Sequence, residues 1–238
     1  MSIRLRLSAA VLGSAIAVGA AAMPAQAADG TVSLQKAKDT VTAGIIGRLS
    51  TIKDLQTRLA SFKDVGDANE TTLSTLLAQD ATGLTALKTK VAGETTVAAV
   101  KADGKSMVDD YRIYLLVAPK VHLVNALSVE ADAVTRLRKV HDALADRLAK
   151  DAQADTQANK DLLADLASEV TAADVAIDGK IAAVLALQPG PDGKAITAQV
   201  KAISSSAHDA RNDLRKAVQD AKKVRDAIKA TKPAKATK

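Results

Sequence analysis

Aliphatic residues return every three or four positions through most of the chain, a spacing that predicts helices rather than strands. The first stretch, from about 33 to 62, sets Leu34, Ala37, Val41, Ile45, Leu49, Ile52, Leu55, Leu59 and Phe62 on one side, and Asp64-Val65-Gly66-Asp67 stops it. A second runs from about 68 to 91 through Leu73, Leu76, Leu77, Leu84, Leu87 and Val91, with Gly93-Glu94-Thr95 after it. The third, from about 96 to 117, is weakened by Gly104, where the helix is expected to restart. Pro119 marks a break or a first helical turn, the one place where its missing N–H costs nothing.

The fourth stretch spans about 119 to 150, with Leu123, Leu127, Val134, Leu137, Val140, Leu144 and Leu148 as its stripe. The fifth is read as one helix from about 157 to 187, through Leu163, Leu166, Val170, Ile177, Ile181 and Val184. Pro189-Gly190-Pro191-Asp192-Gly193 is the clearest turn. In the sixth, from about 195 to 230, Ile196, Val200, Ile203, Ala207, Ala210, Leu214, Ala217, Ala221, Val224 and Ile228 alternate steps of four and three. That 3.5-residue period is the mark of a coiled-coil seam. A helix of thirty residues is ~45 Å long. The expected fold is therefore all-α, an extended helical bundle.

The two halves resemble one another at an offset of about 90 residues. Val32, Leu34 and Ala37 return as Val121, Leu123 and Ala126; Asn69, Leu73 and Leu76 return as Asn159, Leu163 and Leu166; Asp103-Gly104-Lys105 returns as Asp192-Gly193-Lys194. The offset slips where Arg48-Leu49 matches Arg136-Leu137. The organisation expected is two tandem three-helix, coiled-coil-like units, 28–118 and 119–230, followed by a basic disordered tail, 231–238.

Residues 1–27 read as a signal peptide. Arg4 and Arg6 precede an alanine-rich apolar run, Pro24 breaks it, and Ala25-Gln26-Ala27 places small residues where a signal peptidase cuts. The break and the small residues favour removal over a retained anchor. Beyond this segment no apolar run reaches the ~20 residues needed to span a bilayer. Localisation is thus expected to be secreted or cell-surface associated. Absence of cysteine excludes disulfides and thiolate chemistry. The chain is 47% hydrophobic yet only 1% aromatic, which suits narrow helix seams and argues against a β-sandwich.

Candidate chemistry is sparse. Gly104-Lys105-Ser106 resembles the end of a phosphate-binding loop, but Ala99 stands where that loop needs glycine and no strand precedes it. His122, His141 and His208 have no histidine or Glu-x-x-His partner at ligand spacing, so they are expected at the surface or in caps. Asp161, Asp165 and Glu169 share one helix face, more in the manner of a solvated face than of a cation site. No catalytic, cofactor or metal residue is assigned, and a non-enzymatic role is expected. Asp109-Asp110 adjoins the two tyrosines, and Met107, Tyr111 and Tyr114 are the residues of a possible crevice.

Charge is more informative. The formal charge of +6 falls to +4 once Arg4 and Arg6 leave with the leader. Most of the excess lies at the C-terminal end, where Arg211, Arg215, Lys216, Lys222, Lys223, Arg225, Lys229, Lys232, Lys235 and Lys238 face only Asp213, Asp220 and Asp226. A cationic, flexible end attracts polyanions without reading sequence. The expected partners are anionic cell-wall polymers, a membrane surface or host glycans, with no specific nucleic acid; a solubilising tail is the plainer alternative. A soluble helical binding or chaperone-like protein using the crevice near Tyr111 and Tyr114 is the second reading.

The segment Asp110-Tyr111-Arg112-Ile113-Tyr114-Leu115-Leu116-Val117-Ala118-Pro119-Lys120 resembles uncharacterised secreted helical proteins of high-GC Gram-positive bacteria. That resemblance implies export and helices but no activity. The plan of coiled helix plus basic Lys/Ala/Pro tail is also similar in composition to mycobacterial heparin-binding adhesins. It implies adhesion, though the tail here is far shorter.

Overall fold

The computed structural model describes residues 33–231; residues 1–32, with the expected signal peptide, and 232–238 lie outside them. The described chain is all-α, with no strand. It comprises α1 (Leu34–Leu59), α2 (Asp67–Gly93), α3 (Val97–Asp109), a π-helical turn (Ile113–Val117), α4 (Ala118–Leu148), α5 (Gln157–Ile177), α6 (Lys180–Ala186) and α7 (Gly193–Ala230). Four helix starts carry a side-chain cap. Ser33, Thr96 and Thr156 accept from Lys36 N, Ala99 N and Asn159 N, and Asp192 accepts from Ala195 N at 2.9 Å.

Two sequence expectations are corrected. The third stretch does not restart at Gly104, which lies inside α3, where a Cβ would come within 3.1 Å of Val41 on α1. The break falls instead at Asp110–Arg112, with Arg112 in the left-handed region at φ 44°. Helix resumes as the π turn, in which Val117 N bonds Arg112 O at 3.2 Å, and Pro119 occupies the first turn of α4. Pro119 has no N–H to close a tighter turn below it, which accommodates the wider winding. The fifth stretch is also not one helix, because Gly179 adopts φ +66° and separates α5 from α6.

α1 packs on α2 and α3, while α4 packs on α5, α6 and α7; the closest association is between α5 and α7. α7 buries Ala207, Ala210, Ala217 and Ala221, small side chains that let neighbouring backbones approach. α4 and α7 run parallel: Glu130 meets Arg211 and Asp151 meets Thr231. Residues 33–231 fall within a single compact unit, and its core is continuous from Ile45, Ile52, Leu73 and Leu77 to Leu127, Leu166, Val170 and Val224. Each such fully buried leucine or isoleucine contributes about 1.5–3 kcal/mol. The stretch Val97–Leu148 is long and apolar enough by composition to cross a membrane, contrary to the expectation that none is, but over half of its most apolar window is buried in the bundle.

Candidate polyanion-binding face and a second groove

Among the described helices α7 is the most amphipathic, and its charged residues sort by angle. At ~100° per residue, Arg211, Arg215, Lys222, Arg225 and Lys229 fall within an arc of about 80°, and all five are exposed. Lys216 and Lys223 lie roughly a third of a turn away. They are paired within the helix with Asp213 at 3.0 Å and Asp220 at 2.6 Å, and hydrogen bonds to those carboxylates hold both ammonium groups above the usual lysine range. Both feel Glu169 of α5, so they belong to the α5–α7 seam rather than to the basic face. Lys232, Lys235 and Lys238 lie outside the described residues.

The five cations of the arc differ in how far they are neutralised. Arg211 donates to Glu130 of α4 at 2.8 Å, Arg225 pairs with the neighbouring Asp226 at 3.1 Å, and Arg215 donates to Asn212. Lys222 and Lys229 form no ion pair among the described residues. Glu130 is only 3% exposed, and its Oε2 has no hydrogen-bond partner. Burial pushes its carboxyl up to about 7 against the opposing pull of Arg211.

The three crevice residues divide between two helices, Met107 and Tyr114 against α1 and Tyr111 against α2. Met107 is buried beneath α1, where its methyl would lie 3.1 Å from a Cβ at Gly44. Tyr114 is 54% exposed and lies along α1 at Gly47, with the Arg48 guanidinium 5.1 Å from its ring centre. Tyr111 instead reaches α2, the hydroxyl end of its ring lying against Gly83. There it borders a groove of about 460 Å³ between α2, the π turn and the loop after α6, lined by Thr71, Thr75, Gln79, Asp80, Lys120 and Gln188. Lys120 is 4% exposed and donates to the carbonyls of Leu185 at 3.0 Å and Leu187 at 2.6 Å, closing the end of α6. Burial lowers the Lys120 ammonium and raises Asp80 to about 6, and Asp80 Oδ2 has no partner.

The loop beside this groove is clasped by Arg112. Its Nε donates to Gly190 O at 2.7 Å, and one terminal nitrogen donates to Pro191 O at 2.8 Å and to Asp109 Oδ1 at 2.7 Å. Lys105 also pairs with Asp109, and its hydrogen bond is the main reason that carboxyl stays below the usual range.

The remaining candidates are dispersed. His122 is half-buried on α4, His141 Nδ1 lies 3.0 Å from Asp142, and His208 is exposed on α7. Asp161 and Asp165 are exposed, whereas Glu169 turns into the seam toward Asp220, Lys216 and Asp213. Among the described residues no three histidine, aspartate or glutamate side chains gather as a metal-ligand set.

The sequence reading missed Asp80, Lys120, Glu130 and Asp103, which bear on function or stability through burial. A signal for them exists. Lys120, Glu130 and Asp103 each stand three residues after one core aliphatic and four before another apolar core residue: Val117 and Val124, Leu127 and Val134, Val100 and Met107. Asp80 occupies the same register between Leu77 and Leu84. Compared with protein-family models, curated proteins and solved structures, the chain matches none.

Proposed function

We propose that the protein is a non-enzymatic, exported helical module that docks on anionic polymers or headgroups at the cell envelope through the basic face of α7. The observation that carries this reading is the clustering of Arg211, Arg215, Lys222, Arg225 and Lys229 on one exposed arc, leading toward Lys232, Lys235 and Lys238. The order of charge, apolar run and small residues in 1–27 supports export. Such a face gains affinity mainly by releasing counterions from the polyanion, so its binding weakens steeply with salt. The test is retention of the protein on heparin and on vesicles rich in anionic lipid. Replacing Arg215, Lys222 and Lys229 together by glutamine should lower the elution salt and flatten the dependence of log affinity on log salt by roughly two to three counterions. Equal retention of the variant and the parent would remove this face from the reading.

A second reading rests on the groove beside Tyr111. Its hydroxyl and amide rim and the unpartnered Asp80 oxygen suit a small polar ligand, as in a helical binding protein. A ligand-dependent rise in melting temperature that Tyr111→Ala abolishes and Tyr114→Ala spares would favour it.

A further inference from the structure

One cation of the basic face differs from the others in what neutralises it. Arg225 has an exposed aspartate beside it on α7, whereas Arg211 has a carboxylate from another helix, sunk into the α4–α7 interface. The Arg211 side chain is 44% exposed while that of Glu130 is 4% exposed. The guanidinium therefore faces both the buried acid and the solvent from which a polyanion would arrive. Glu130 accepts through Oε1 alone, and its second oxygen is buried without a partner. A carboxylate held in that way has half of its acceptor capacity stripped of water and uncompensated, so its charged form is costly.

We infer that Glu130 is a proton-operated gate on the polyanion-binding face, holding Arg211 neutralised while it is charged and releasing the guanidinium to an anionic polymer when it is protonated. This deepens the reading of α7 as a polyanion-docking face and rests on it. Burial that raises Glu130 to about 7 places the change between neutral and mildly acid conditions. The charge acting on Glu130 comes from Arg211. On its own helix the nearby Asp132 is held by Arg136, and on α5 Asp174 is held by Arg138. Elsewhere on α7, Asp213 and Asp220 are engaged by Lys216 and Lys223 at the seam, and His208 stands exposed one turn before Arg211.

Linkage sets the sign. Protonation removes one negative charge beside the face, so acid tightens binding, and a bound polyanion competes for Arg211 and raises the Glu130 affinity for a proton in return. One additional counterion released is worth ~5-fold in affinity at about 0.1 M salt, with the log–log salt slope steeper by ~0.7–0.9.

The experiment measures heparin affinity against salt at pH 8 and pH 5.5 for the parent protein and for Glu130→Gln, a neutral isostere that still offers Arg211 an acceptor oxygen. His208 and every other ionisable side chain are common to both proteins, so the informative quantity is the difference between them. At pH 8 the variant should bind ~5-fold more tightly with the steeper slope, and at pH 5.5 the two should coincide. Arg211→Gln serves as a second variant: its affinity should match the parent at pH 8 and fall behind it at pH 5.5. Parent and Glu130→Gln proteins that bind alike at both pH values would overturn the gate and leave the docking face standing. Absence of heparin binding by any of them at either pH would overturn both.

Discussion

Arg112 offers the sharpest test of how this chain holds its bend. Three short hydrogen bonds from its guanidinium tie Asp109 to the carbonyls of Gly190 and Pro191, far away in sequence. Hydrogen bonds involving a charged group contribute about 1.5–3 kcal/mol each. Two of these acceptors lie on a loop where water can replace the lost donor, so Arg112→Ala should cost roughly 3 kcal/mol in all. For a domain of this size that corresponds to a melting temperature lower by about 6–12 °C. The backbone supplies a control. At φ 44° a side chain with a Cβ is strained by ~1–2 kcal/mol, and that strain is present in Arg112 and in an alanine replacement but not in glycine. Arg112→Gly should therefore unfold at a higher urea concentration than Arg112→Ala, by about 1 kcal/mol, while remaining below the parent. Urea denaturation followed by circular dichroism at constant pH reads all three. A cost below about 0.5 kcal/mol for the alanine variant would refute the clasp, and a glycine variant weaker than alanine would refute the left-handed assignment.

The pH dependence follows from two raised carboxyls. Glu130, at about 7, and Asp80, at about 6, bind protons more tightly folded than unfolded, so their contribution is complete below the ordinary carboxyl range and is lost as pH rises through 6 and 7. The unfolding free energy read from urea titrations should fall between pH 5 and pH 8, by about 1–3 kcal/mol once solvent screening is allowed for, and a value that holds steady or rises would contradict the burial assigned to both. At Gly83, a new Cβ would meet the Tyr111 ring edge at 2.9 Å. Gly83→Ala should cost about 1–2 kcal/mol alone but become neutral or favourable by up to ~1 kcal/mol in a Tyr111→Ala background; additive effects in that double-mutant cycle would argue against the contact.

The helices and their buried stripes were legible because a three-to-four residue aliphatic period has one physical meaning. Leu73, Leu77, Leu84 and Val91 are buried as their spacing requires. The breaks were less legible. Gly179 was visible, but a lone glycine is tolerated within helices, and only its positive φ makes it a boundary. Arg112 carries no local signal, since its left-handed backbone is held by contacts with a turn nearly eighty residues away. The same residue explains why the expected crevice residues divide between two helices. Met107, Tyr111 and Tyr114 have helical spacing, yet the chain leaves the α-helical path between Tyr111 and Tyr114, so the two rings end on different helices. The basic face was legible as charge, and its division followed once the helical angle was applied to Lys216 and Lys223. The partner of Arg211 was not, because nothing in the α7 sequence announces an acid on α4.

The scarcity of rings leaves the molecule with a built-in optical label. With no tryptophan, its intrinsic emission comes from two tyrosines. Both flank the left-handed residue, one tucked over α2 and the other lying on α1 beside a guanidinium. A change in tyrosine fluorescence or in the tyrosine band of near-ultraviolet dichroism therefore reports on that elbow, whatever the distant end of α7 is doing.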